Sequence, residues 1–293
     1  MGRRMPPRFW PHPPPTRMAR PTSRRHARRN PIDRLTNFLR PNTSDGGNQT
    51  RRDLSRKSHA MPFEPFSREH LAAVTLGSCI TATLLVAAKS NPRRQHLVTR
   101  LLAFTNLAAY PINLIAWKTH DQAISLENIL PLHLCDIAAF VAGLALLTGN
   151  PILRTLTYFW GLAATLQALI TPALSADFLT PPFISFFIQH FAIVAAAIHI
   201  PLVEGWRPKS PLWKSPFDAY LGALAYMLFS IAINQWLGTN FGFTSRPPDK
   251  ASMIDHLGPW PWYLASFQPL AFSLFFILAI PLRRLKAPRP DTT

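Results

Sequence analysis

An all-α, polytopic bundle of about seven transmembrane helices is the fold class that the sequence predicts, and three observations point to it. Apolar stretches of about 20 residues follow one another from residue 69 onward, the length needed to cross about 30 Å of hydrocarbon at 1.5 Å per residue. Lys and Arg gather in alternate loops, as the positive-inside rule requires of a multi-pass chain. Polar side chains within the stretches recur at one depth.

The first sixty residues stand apart from this pattern. The chain of 293 residues carries a net charge of +17, and its mean hydropathy of +0.07 averages two unlike parts. Fourteen Arg and one Lys against three Asp place +12 of that charge in residues 1–60, which also hold nine Pro. With few large apolar side chains to offset ordering entropy, this segment is predicted to be a disordered basic tail. It lacks the interleaved aromatics or folded module that base recognition needs, so no nucleic-acid partner is expected. Its prolines also argue against an amphipathic transit helix.

The predicted spans run 69–88, 97–116, 129–148, 152–170, 182–203, 217–237 and 259–282, the third and fourth forming a tight hairpin. Lys89, Arg93, Arg94, Arg154, Arg207, Lys209, Lys214, Arg283, Arg284, Lys286 and Arg289 fall on one side, and only Lys118, Arg246 and Lys250 on the other. The C-terminus is therefore expected in the cytoplasm and the N-terminus outside a cell membrane, the inner one in a Gram-negative cell. That orientation exports the basic tail, against the rule that produced it. A translation start at Met61 removes the conflict, giving a membrane domain of 61–293. Six spans with an interfacial first segment is the other solution.

Polar groups inside a bilayer face a bundle interior or a cavity. Asn113, Gln167 and Asn234 end outward-running spans, while His133, Cys135, Asp136, Gln189 and His190 begin inward-running ones. Cys135 and His190 lie about 9 and 12 Å below their span starts, hence at similar depth in the outer half. His199, Asp218 and Tyr220 sit near the inner ends, where they can reach headgroups. Trp260 and Trp262 suit an interfacial belt. Asp249, Lys250, Asp255 and His256 belong to an outer loop over the site.

In Leu132-His133-Leu134-Cys135-Asp136 a thiol stands near a helix N-terminus, where the dipole favours thiolate. His133 points away from Cys135 but stands over Asp136, three residues on. A base for the thiol must come from another helix, and His190 is the candidate; a Cys/His pair activates a thiol for acyl transfer. The competing readings are a small buried hydrophobe for Cys135 and a helix-bridging hydrogen bond for His190. A zinc set of His133, Asp136, His190 and Cys135 is a further alternative, of nonspecific spacing. Cys79, without polar companions, is expected in the core. Gly-rich phosphate loops, GxSxG and HExxH are absent, and no cofactor or resident metal is expected.

Four segments carry a family resemblance: Leu132-His133-Leu134-Cys135-Asp136, Tyr158 to Leu162 with Thr165 to Leu169, Gly238-Thr239-Asn240, and Leu257 to Tyr263. In this order they resemble the bacterial YwaF family, from about Met61 to the last span. That family is in turn similar to the eukaryotic transmembrane protein 164 group, regarded as membrane acyltransferases with an active-centre cysteine. The resemblance implies Cys135 as nucleophile, with His190 as partner by depth, acting on membrane lipids in the outer leaflet. His133, Asp136, Asn113, Gln167, Asn234, Asn240, Trp260 and Trp262 are the expected pocket residues. The reading from another class is a non-enzymatic membrane protein that binds or carries a small polar solute or lipid in the same pocket. No inverted repeat or Gly/Pro-broken helix pair supports it.

Overall fold

The computed structural model describes residues 63–120, 125–248 and 252–284. Expectations for the tail 1–60, Met61, Asp249 and Lys250 lie outside the described residues. Among those residues there is no strand. Helix α1, Arg68–Ser90, starts at Ser67, whose hydroxyl accepts the His70 N–H at 3.2 Å, with Glu69 in the favourable first turn. Helix α2, Pro92–His120, leads to the single turn α3, Leu126–Ile129, and an extended link to α4, Leu134–Thr148. The expected span 129–148 is thus entered through non-helical backbone.

The α4 to α5 hairpin follows from its Gly-Asn-Pro sequence. Gly149 takes the left-handed conformation at φ 66°, Asn150 Oδ1 accepts from the amides of Ile152 and Leu153, and Pro151 occupies the first turn of α5, Pro151–Trp160. A π turn over Gly161–Thr165 then passes into α6, Leu166–Ile170. Helices α7, Pro181–Leu202, α8, Lys214–Leu237, and α9, Trp262–Arg284, complete the bundle, with 3-10 turns at Phe241–Phe243 and Met253–His256 between the last two.

Five helical stretches are long and apolar enough to cross a membrane: Arg68–Ser90, Leu126–Thr148, Pro181–Leu202, Lys214–Leu237 and Trp262–Arg283. The stretches expected at 97–116 and 152–170 are helical too. Asn106, Pro111 and Asn113 dilute the apolar character of α2, and the π turn divides the other.

Helix α7 is the centre of the bundle. Its apolar window is 72% buried, against 11% for α1. The outer surface of α1 presents Leu76, Ile80 and Val86, as a lipid-facing helix does. Cys79 is exposed on that helix, which corrects the expectation of a core position: with no polar partner it faces the medium that suits it.

Three polar rungs tie α7 to α2. Ser185 Oγ donates to Asn113 Oδ1 at 2.8 Å, Asn106 Nδ2 donates to the Ala192 carbonyl at 3.0 Å, and Thr99 Oγ1 meets His199 Nε2 at 2.9 Å. The rungs advance by seven residues on each helix, in opposite directions. Two antiparallel helices keep one seam in contact with that repeat when they cross at a shallow left-handed angle. His199 is fully buried, which corrects its placement at the headgroups: the third rung holds it inside.

Opposite this seam, Gly161 lets the π turn approach α7. A Cβ there would stand 2.7 Å from that of Ala197, closer than packed carbons allow.

The rungs can be weighed by a double-mutant cycle on Asn113→Ala and Ser185→Ala, read by thermal unfolding in detergent. The expected coupling is about 0.6 kcal/mol, with an upper range near 1.7 kcal/mol; additive effects would show that the rung does not form.

Candidate functional site

Helix α4 begins at His133, which caps it without a side-chain bond. The first helical hydrogen bonds run from the Asp136 and Ile137 amides to the His133 carbonyl. The Leu134 amide lies toward the Tyr226 hydroxyl and the Cys135 amide toward its own sulfur, so the free donors of the helix start have side-chain neighbours. The half-buried Cys135 packs at the edge of a core formed by Tyr158, Phe159, Trp160 and Ile193. Its sulfur lies against the amides of Cys135 and Asp136, where a helix N-terminus supports negative charge, while burial and the neighbouring Asp136 carboxylate oppose it.

Asp136 faces α7. Its Oδ1 accepts from Gln189 Nε2 at 2.9 Å, and both side chains are buried. A charged or strongly polar pair at this depth is stable only when so satisfied. The bond joins the immediate neighbours of Cys135 and His190. No hydrogen bond links Cys135 to His190 itself among the described residues. His190 is buried, its ring stacked on Phe186 at 3.9 Å, and its Nδ1 lies 2.7 Å from the Phe186 carbonyl. A carbonyl only accepts, so Nδ1 carries the proton and Nε2 keeps its lone pair. No hydrogen bond engages that Nε2 among the described residues.

His133 stays within electrostatic reach of Asp136, as expected three residues on, and makes further contacts. Its ring meets Phe241 edge-on at 5.2 Å and Phe243 at 6.3 Å. Those phenylalanines belong to a turn that closes over the start of α4. Asn234 organises the turn with four bonds: its Nδ2 donates to the Phe241 carbonyl and Thr244 Oγ1, and its Oδ1 accepts from Thr239 Oγ1 and the Phe241 amide. Asn240 accepts from the amides of Ser245 and Arg246, donates to the Arg246 carbonyl, and gives its own amide to Glu127 at 2.7 Å. Both asparagines are buried.

Trp260 donates to the Thr244 carbonyl at 3.0 Å, Tyr263 to that of Phe243, and Trp262 is exposed. Ser252 and Asp255 form a capping box in the same loop, the Asp255 carboxylate accepting the Ser252 amide at 2.8 Å. The pocket expected from Asn113, Gln167, Asn234 and Asn240 is therefore divided by use. Asn113 serves the α2 to α7 seam, Gln167 bonds Thr171 at 3.2 Å, and Asn234 and Asn240 hold the turn. His133, Cys135 and Asp136 stand together at the start of α4, with Gln189 bonded across to Asp136, while His190, the next residue of α7, turns its ring to Phe186.

Tyr226 of α8 completes the group and carries no sequence signal of its own. Its hydroxyl donates to the Leu132 carbonyl at 3.1 Å and lies within electrostatic reach of Cys135 and Asp136. Gly242, at φ +62°, rests on it: a Cβ there would stand 2.7 Å from the Tyr226 hydroxyl. Among the described residues no three His, Cys, Asp or Glu side chains gather as a metal-ligand set, so the zinc alternative loses its geometry: Asp136 turns to Gln189 and His133 to Phe241.

The opposite end of the bundle holds a second buried polar group. Arg154 donates to Glu204 Oε2 at 2.6 Å, and His199 Nε2 lies 3.8 Å from Oε1. Burial pushes the Glu204 carboxyl up, and the Arg154 guanidinium opposes that shift.

The family model described as the TMEM164 family matches residues 65–279. No curated protein and no solved structure matches the chain.

The turn over α4 depends on Asn234. Replacing it by Ala leaves buried donors and acceptors without partners, at a cost of about 2 to 3 kcal/mol. The expected outcome is a lowered Tm together with faster hydrogen exchange at amides 239–246; unchanged exchange there would overturn the role given to Asn234.

Proposed function

The chain belongs to the TMEM164 family, and from that premise we propose a seven-span membrane acyltransferase that moves acyl chains between phospholipids through Cys135. The integral membrane character rests on family and apolar helices together. Seven spans, with the N-terminus outside and the C-terminus cytoplasmic, count α2 and the α5 to α6 stretch among the crossings and follow the loop charges. The four motif segments favour a bacterial branch of the YwaF type.

One observation carries this reading: Cys135 stands second in α4, with its sulfur against the amides of Cys135 and Asp136 at the helix start. His190 Nε2 takes the thiol proton, and the thiolate attacks the carbonyl carbon of a phospholipid ester. The carbon to alkoxide bond breaks, the alkoxide recovers the proton from His190 and leaves as a lysophospholipid, and an acyl thioester remains on Cys135. An acceptor lysophospholipid hydroxyl then attacks the thioester, gives its proton to His190, and regenerates the thiol. The start of α4 is where charge developing on the carbonyl oxygen is best supported, by the helix dipole. The Asp136 carboxylate, held by Gln189, keeps its charge and opposes the thiolate, a cost that the acyl-transfer reading carries.

Purified protein given labelled phospholipid is expected to acquire a hydroxylamine-sensitive acyl adduct, which Cys135→Ser abolishes. If Cys135→Ser matches the wild type on every lipid offered, Cys135 is no nucleophile. His190→Gln, which keeps an amide donor but no base, is expected to slow transfer by roughly 10²–10⁴-fold. A smaller loss that is independent of pH assigns the proton to another group. Alkaline phosphatase fused after Arg289 is expected to be inactive, and activity there would reverse the orientation.

A further inference from the structure

Helix α2 opens with a row of cations that nothing in the bundle answers. Arg93, His96, Leu97 and Arg100 line one surface recess of about 460 Å³. At steps of three, four and seven residues they share one helix face, and all four are exposed. Arg94, also exposed, is bonded to Ser90 Oγ at 3.3 Å beside them. No acidic residue stands in the first turn of α2, where the helix dipole would favour one and disfavours Arg.

The local acids are already spent. Among the described residues the carboxylates at this end are Glu204 and Asp218, paired with Arg154 at 2.6 Å and with Lys209 at 2.8 Å. Arg93 and Arg100 have no ion pair among the described residues, so the recess has an unmet demand for negative charge. The same face continues toward the bundle middle as Leu97, Leu101 and Phe104, 62%, 52% and 61% exposed. A ligand that satisfies both parts has an anionic head and an apolar body. A soluble anion would leave the apolar part uncovered, and a zwitterionic lipid would bring an ammonium against the arginines.

We propose that the Arg93, His96 and Arg100 face of α2 is a binding site for an anionic phospholipid of the leaflet at that end. The phosphate lies among the three basic side chains, and an acyl chain runs over Leu97, Leu101 and Phe104. The site is separate from Cys135, being at the opposite end of the bundle, and it does not depend on acyl transfer. Clusters of Lys and Arg where helices leave the bilayer attract anionic lipid by about 1 kcal/mol each.

Native mass spectrometry on the full chain in detergent, with phosphatidylglycerol or phosphatidylcholine titrated in, tests the site. The wild type is expected to retain phosphatidylglycerol in preference to phosphatidylcholine. Arg93→Gln with Arg100→Gln should weaken phosphatidylglycerol roughly thirtyfold, the effect of two such contributions, and leave phosphatidylcholine unchanged. Lys89→Gln with Arg283→Gln removes the same net charge elsewhere and should preserve retention. The proposal is overturned if wild type does not discriminate between the lipids, if the two double variants lose equally, or if glycerol phosphate competes as well as phosphatidylglycerol. The discrimination arm uses unaltered protein, so it decides even where a variant fails to fold.

Discussion

Helices in a bilayer are not pressed together by the hydrophobic effect, because lipid is as apolar as leucine. The heptad-spaced rungs between α2 and α7 are the constraint that substitutes for it here. Once Asn113 meets Ser185, Asn106 reaches Ala192 and Thr99 meets His199, the rotation of α7 about its own axis is set. Every other contact of α7 then has a determined direction. Gln189 points to Asp136 on α4, Ile193 and Ala197 meet the π turn through Gly161, and Phe191 covers Gly77 of α1. A residue exchange that rotated α7 would separate all of these together.

Two histidines show how the same side chain is put to different uses by its first partner. His70 Nδ1 accepts the Phe66 amide at 2.8 Å, so its Nε2 must carry the proton it presents to the Leu169 carbonyl at 2.8 Å. Both nitrogens are engaged, and the ring clips the start of α1 to α6. His190 is the other tautomer, bonded through Nδ1 to its own helix. Its remaining nitrogen keeps a lone pair in the buried interior, which a structural clip does not leave over.

Apolar length made the helices legible. Each of the seven predicted stretches holds helix, although 130–133 and 259–261 do not, and five helical stretches are long and apolar enough to cross a membrane. Polar side chains were harder, since composition gives their depth but not their direction. Thr99, Asn106 and Asn113 stand at seven-residue steps in the sequence, and the seam they form is not legible there, since a rung is defined by its partner residues on another helix. Asn234 and Asn240 read as pocket residues because a buried amide looks the same whether it holds a ligand or its own backbone. Tyr226 gave no signal at all: its place beside Cys135 depends on how α8 lies against α4. His199 was misplaced for the opposite reason, as its nearness to a span end suggested headgroups while a rung drew it inside.

The turn from Gly238 to Arg246 bears on the kind of chemistry that Cys135 could perform. Phe241, fully buried, and Phe243 cover the His133 ring at the start of α4, and Asn234 and Asn240 satisfy the polar backbone that such a plug brings in. On the acyl-transfer reading, a thioester formed beneath it is shielded from bulk water, and exclusion of water is what protects a reactive intermediate from hydrolysis. The acceptor must then arrive through the membrane and carry its own hydroxyl, which a lysophospholipid does. A site open to the aqueous side would spend the same thioester on water. On that reading the plug favours transfer over hydrolysis, through residues other than the proposed nucleophile and base.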